Sequence, residues 1–176
     1  MSFFIITGFP GSGKTTLVTE VVEQLTGVDK QGFVTVEIRE RGSRQGFDII
    51  TLKGRRGPLA RVGSGSPRVS KYAVDIPSLE QLGVGVLQEG LQQDASLFVV
   101  DEVGKMELLS DRFRNVISQI VDEGRTLLAT VPVKSGDSLV QRLKEHPSSE
   151  VWHVKKKRFD EINQQVTQGL QQELSE

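Results

Sequence analysis

The chain has 176 residues, 36% of them hydrophobic and 26% charged. That size predicts one domain, able to bury roughly 70% of its unfolded surface without a disulfide or metal staple. The 22 Lys and Arg balance 23 Asp and Glu, and there is no Cys and only two His. This excludes disulfides, thiolate zinc sites, iron–sulfur clusters and a cysteine nucleophile, and argues against a protein that coats nucleic acid or an anionic membrane.

Phe3-Phe4-Ile5-Ile6-Thr7 is a short apolar run ended by Gly8, as expected of a strand buried on both faces. Leu17, Val18, Val21, Val22 and Leu25 then mark one face of a helix over 14–26, stopped by Gly27. Two alternating stretches, 31–40 and 46–52, flank the polar turn Arg41–Gly46 and read as an antiparallel hairpin. Residues 53–70, rich in Gly, Pro and Arg, read as a long basic loop. A short strand at 72–76 follows, then a helix over 78–93 introduced by Pro77. Beyond it come a strand at 96–101, a helix at 111–123, a strand at 126–131, a helix near 137–145, a strand at 150–154 and a last helix near 159–173. The Gln-rich end reads as the solvated face of that helix. Strands alternating with helices predict a mostly parallel sheet covered on both faces. With no repeat and no linker, residues 1–176 read as a single α/β domain.

No apolar run approaches the ~20 residues of a membrane helix. Phe3–Ile6 also lacks the basic flank of a signal peptide. The expectation is a soluble, cytoplasmic protein whose oligomeric state the sequence leaves open, a monomer being favoured.

Gly8, Phe9, Pro10, Gly11, Ser12, Gly13, Lys14 and Thr15 spell G-x-x-x-x-G-K-[ST]. The motif lies between a buried strand and an amphipathic helix, which is the context it requires. The glycines let backbone N–H groups turn inward, and with the positive end of the 14–26 helix they cradle phosphate oxygens. Lys14 is placed for the β- and γ-phosphates, Thr15 for Mg²⁺ and Thr16 for the α-phosphate. A second apolar strand ends in Asp101 and Glu102. Asp101 is the expected metal ligand, and Glu102 the residue that orients and deprotonates a water. Alternation along a strand predicts that the two side chains diverge to opposite faces. Thr130, at the end of Leu127-Leu128-Ala129, is a candidate γ-phosphate sensor, and Arg61 in the basic loop a candidate arginine finger. Lys155-Lys156-Lys157-Arg158, beside one aromatic, reads as a solvated edge, so nucleic acid is not the expected partner. Neither His146 nor His153 has a partner pattern for a triad or a metal.

Several further stretches accompany Gly8–Thr16: Gly32-Phe33-Val34-Thr35, Arg44-Gln45-Gly46-Phe47-Asp48, Gly57-Pro58-Leu59-Ala60-Arg61-Val62, Lys71-Tyr72-Ala73-Val74-Asp75 and Asp101-Glu102-Val103-Gly104-Lys105-Met106-Glu107-Leu108. In this order, over nearly the whole chain, they resemble the thermophilic nucleoside-triphosphatase family. The resemblance implies a three-layer, RecA-like P-loop domain that uses Mg²⁺ to hydrolyse ATP, GTP, CTP and UTP to the diphosphate and phosphate. Family members often carry an Asn-Arg pair where this chain has Lys157-Arg158.

Two other readings compete with hydrolysis: a small nucleotide or nucleoside kinase with 53–70 as its lid, and a nucleotide-dependent switch or RNA-associated module. Glu102 beside Asp101 favours hydrolysis, because a hydrolase must hold a water that a kinase must exclude. No Asn-Lys-x-Asp or other base-reading motif occurs, which predicts little base selectivity.

Overall fold

The computed structural model describes residues 2–176. Strand β1 (Phe3–Gly8) leads through the glycine loop into α1 (Lys14–Gln24), which buries Leu17, Val18 and Val21. Then follow β2 (Lys30–Glu40), β3 (Ser43–Thr51), β4 (Arg56–Val62), β5 (Arg68–Val69) and β6 (Tyr72–Val74). A continuous helical run comprises α2 (Ile76–Ser78), a π-helical segment (Leu79–Val84) and α3 (Gly85–Gln92). The rest alternates: β7 (Leu97–Val100), α4 (Asp111–Asp122), β8 (Leu127–Pro132), α5 (Ser138–Glu145), β9 (Ser149–His153) and α6 (Phe159–Ser175). None of the helices is long and apolar enough to cross a membrane among the described residues.

All the strands share one sheet in the order β5-β6-β4-β3-β2-β7-β8-β1-β9. From β2 to β9 the neighbours are parallel, and from β2 outward to β5 they are antiparallel. Successive residues of each parallel strand face opposite cores. Phe3, Ile5, Phe33, Phe98 and Val100 pack under α3, α4 and α5. Phe4, Ile6, Val99, Leu128 and Trp152 pack under α1 and α6. This double burial is why these strands read as uninterrupted apolar runs. The Gln side of α6 is exposed, while Ile162, Val166 and Leu170 are buried.

The antiparallel region departs most from the sequence reading. The hairpin turn is Arg41-Gly42 alone, with φ of 52° and 77° and Glu40 paired to Ser43. Both residues take the positive φ that a two-residue hairpin turn requires. Residues 43–45, expected in the turn, belong to β3; they are polar and not buried, so no alternation marks them. The expected long loop over 53–70 contains β4 and β5. Only Leu59 and Ala60 of β4 are buried, and Pro58 sits where the register with β3 shifts. A shift in register is one of the few places a strand tolerates proline.

Gly32 fixes the junction between the two halves of the sheet. Its φ is 148°, and a Cβ there would lie 1.8 Å from the Val99 carbonyl oxygen of β7. Neither the backbone conformation nor the space admits a side chain. Gly32→Ala should therefore cost about 3 kcal/mol by overpacking, lowering Tm by about 6–12 °C for a domain of this size. Gly42→Ala, with positive φ but open space around it, should cost about 1 kcal/mol. Thermal melts of the two variants check the contrast, and equal losses would contradict it.

Candidate active site

The glycine loop leaves β1 at the C-terminal edge of the parallel strands. Gly11 (φ 79°) and Gly13 (φ 98°) hold it in left-handed conformations, and Gly13 hands the chain directly to α1. At Gly8 a Cβ would strike Ser12 Oγ at 2.5 Å and the Val154 carbonyl oxygen at 3.3 Å, so a side chain there would displace Ser12 within the loop. No side chain caps the first turn of α1, and that turn holds no acidic residue. Its free N–H groups and helix dipole favour an anion. Ser12 Oγ is buried without a hydrogen-bond partner in this loop. Phe9 and Pro10 are exposed at its apex, and Phe9 meets His153 edge-on, with ring centroids 5.9 Å apart.

The second strand brings its carboxylates to the same place. Asp101, 2% exposed, follows β7 directly. Thr15 Oγ1 donates to Asp101 Oδ2 at 2.6 Å, and Thr130 Oγ1, from β8, donates to Asp101 Oδ1 at 2.6 Å. One carboxylate thus joins the loop, β7 and β8. Burial pushes its pKa above the ordinary carboxylate range, against the pull of the two hydroxyl bonds. Lys14 Nζ, in turn, donates to Glu102 Oε2 at 2.8 Å. The expected divergence of Asp101 and Glu102 is overturned, since both side chains reach the glycine loop. Strand alternation applies only through Val100, where β7 ends.

Thr130 is completely buried and bound to Asp101, so it acts first as the carboxylate's partner. Arg61 is not among the residues gathered here. It lies on β4, three strands away from β7. Its guanidinium donates to Asp48 Oδ1 at 2.5 Å and to the carbonyls of Phe47 and Ala60. Arg56 Nε also donates to Asp48, at 2.7 Å, and the two arginines hold that carboxyl below its ordinary range despite burial. Thr16 is exposed on the first turn of α1, and Lys155–Arg158 are exposed before α6.

One acid was not singled out from the sequence. Glu107 opens a single 3₁₀ turn (Glu107–Leu109) and is 4% exposed. A Cβ on Gly104 would meet Glu102 Oε1 at 2.7 Å and Glu107 Oε1 at 3.1 Å, so the two carboxyls converge on one point. Burial, reinforced by the charges of Glu102 and Asp101, pushes the Glu107 pKa up to about 8. The available signal was its place between Met106 and Leu108, a carboxyl in a largely apolar stretch. No group of three or more His, Asp or Glu among the described residues is arranged to hold a metal by protein ligands alone.

The sequence and the fold have known counterparts. A family model described as NTPase matches residues 3–167. The nucleoside-triphosphatase THEP1 of Thermotoga petrophila is 43% identical over 163 residues, covering 92% of this chain and 89% of that protein. The cancer-related nucleoside-triphosphatase of Homo sapiens is 41% identical over 168 residues, covering 86% and 87%. Among solved structures, THEP1 from Aquifex aeolicus superposes with a TM-score of 0.86 at 31% identity, covering 96% of this chain and 98% of that one. The human cancer-related enzyme superposes with a TM-score of 0.82 at 37% identity, covering 98% of each chain. Agreement in sequence and in fold along nearly the full length leaves one assignment: the chain belongs to this NTPase family and is a nucleoside-triphosphatase.

Proposed function

We propose that the enzyme cleaves the β–γ anhydride of ATP, GTP, CTP and UTP with Mg²⁺, releasing the nucleoside diphosphate and phosphate, in a RecA-like P-loop site. The observation that carries this reading is the paired contact of neighbouring loop residues with neighbouring acids, Thr15 with Asp101 and Lys14 with Glu102. Strand β8, interposed between β1 and β7, supports the RecA-like arrangement.

The donor set fits Mg²⁺. Asp101 and Glu102 bring two carboxyls beside Thr15 and Lys14, with Lys14 ion-paired to Glu102. Thr15 Oγ1 and Asp101 Oδ2 are adjacent oxygens there. Mg²⁺ keeps several waters and takes only one or two protein ligands, so a site without a three-acid cage suits it. Thr15 would hold the ion directly and Asp101 from behind it. Bound there, Mg²⁺ would offset phosphate charge.

The protein residues divide the remaining work. Loop N–H groups, Ser12 and the α1 terminus bind the phosphates, with Thr16 at the α-phosphate. When Lys14 exchanges Glu102 for β- and γ-oxygens, the Glu102 carboxylate is released to accept a proton from water as its oxygen attacks phosphorus. Binding the triphosphate therefore liberates the base. Thr130 holds Asp101 in place and stands ready to report on the γ-phosphate. Every recognised contact addresses phosphate or metal, which supports the absence of strong base selectivity.

Glu102→Gln keeps the shape of the side chain but removes the base, and should lower kcat by ~10²-fold or more with nucleotide affinity nearly intact. Asp101→Asn should instead raise the Mg²⁺ concentration needed for half-maximal rate. Steady-state kinetics across a Mg²⁺ series separates the roles; parental turnover by Glu102→Gln would remove it as the base and return the kinase reading to contention.

A panel of the four ribonucleoside triphosphates should give kcat/KM values within about two orders of magnitude. A strict preference for one base would disprove the reading of a phosphate-directed site.

Glu107 adds a pH dependence to stability. Its folded pKa lies above the unfolded value, so its protonated form stabilises the fold fully below about pH 4.5, and this contribution is lost as pH rises through about 8. Glu107→Gln should flatten that decline, and Tm measured from pH 5 to 9 for both proteins reads it directly. Parallel curves would show that the carboxyl is ionised throughout.

A further inference from the structure

Catalysis of phosphoryl transfer needs positive charge at the γ-phosphate as the bond to the leaving diphosphate breaks. The candidate from sequence, Arg61, is engaged by Asp48 in the antiparallel region. Another cation lies much nearer the loop. Lys144, in the last turn of α5, donates from Nζ to the Val133 carbonyl at 2.9 Å. Val133 directly follows Pro132, the last residue of β8, and Pro132 pairs in register with Gly8, the first residue of the glycine loop. Adjacent strands lie about 4.8 Å apart. The carbonyl that holds the Lys144 ammonium is thus on the chain segment running alongside the entrance to the loop, at the strand edge that also carries Thr130.

Three further features set Lys144 apart. Among the described residues, no carboxylate lies within ion-pairing distance of it; its hydrogen bond is to a backbone carbonyl. Burial, and then the positive charge of Lys14, hold its pKa below the ordinary lysine value. The two lysines belong to helices on opposite faces of the sheet. The supporting segment is also fixed. Arg114 of α4 is bonded to Asp137, and Asp137 accepts a hydrogen bond from the Leu139 N–H at the start of α5. Gln141 of α5 donates to the Ser135 carbonyl of the same segment. Lys14, paired with Glu102, and Lys144, held by a carbonyl, carry like charge, and a polyanion bound at the strand edge offsets both.

We propose that Lys144 is a catalytic residue of the triphosphatase, contacting γ-phosphate oxygens from the α5 side of the sheet while Lys14 contacts them from the α1 side. The inference rests on the P-loop reading of the site and adds the residue that supplies charge in place of an arginine finger. It makes a specific demand on affinity. A cation directed at the γ-phosphate strengthens binding of a triphosphate and leaves binding of a diphosphate unchanged.

The test measures binding of a non-hydrolysable β,γ-methylene triphosphate and of the diphosphate by calorimetry with Mg²⁺, together with kcat, for the parent, Lys144→Gln, Lys144→Arg and Lys14→Ala. Lys144→Gln keeps a polar N–H donor but not the charge, and Lys144→Arg restores the charge, which separates the structural from the electrostatic role. Lys144→Gln should bind the triphosphate analogue about tenfold more weakly or worse, the scale of a lost charge-assisted hydrogen bond. Diphosphate affinity should stay within about twofold of the parent, and kcat should fall by about 10²-fold. Lys144→Arg should restore most of both losses. Unchanged triphosphate affinity and kcat in Lys144→Gln, or equal weakening toward both nucleotides, would overturn the proposal. Failure of the underlying site reading looks different: Lys14→Ala would then bind the triphosphate as the parent does, whatever Lys144→Gln shows.

Discussion

The buried carboxylate of Asp101 is the point on which the site is assembled. A carboxylate so enclosed is costly unless its oxygens are bonded, and here each oxygen accepts one hydroxyl, from Thr15 and from Thr130. Those hydroxyls come from α1 and β8, so satisfying one acid aligns the start of the helix with two neighbouring strands. The requirement reaches further into the fold. The Asp101 N–H donates to the Phe33 carbonyl of β2, and Val103 N–H donates to the Thr130 carbonyl. The chain leaving β7 is therefore tied on both sides, and Glu102 between those ties meets Lys14.

Charge then decides what the pocket accepts. Asp101 and Glu102 stand beside Lys14, and no group of three or more acids among the described residues is arranged to hold a metal unaided. Such a pocket suits a ligand that brings both a metal ion and negative charge of its own. The Lys14–Glu102 pair fits this economy, because each partner has a use once the other is taken by substrate. Glu107 extends the cluster away from solvent, where its carboxyl is held largely protonated near neutral pH by burial and by its acidic neighbours.

The antiparallel extension has a different organising contact. Asp48 on β3 draws in Arg56 and Arg61, both on β4, although each guanidinium remains about half exposed. The pair ties the outer strands together across the register shift between Phe47 and Asp48. Much of the basic character that made 53–70 look like a mobile lid serves this purpose. Solvent screening keeps each exposed pair modest in energy, but the geometry takes Arg61 out of the phosphate site.

What the sequence determined by itself was whatever local chemistry determines. The run Gly8–Thr16 between an apolar strand and an amphipathic helix sufficed for the phosphate loop, because glycine conformations and helix termini act within a few residues. Uninterrupted apolar strands sufficed for a sheet buried on both faces, and Asp101 and Glu102 at a strand end for the acids. The tertiary structure decided what depends on residues far apart in the chain. Thr130 and Asp101 are 29 positions apart and Lys14 and Glu102 are 88, and no spacing rule connects them. Strand β4 was hidden because Gly57, Pro58 and its arginines obey no alternation, and only its neighbours β3 and β6 make it a strand. Glu107 and Lys144 take their character from burial and from nearby charge, which exist only after the chain has folded.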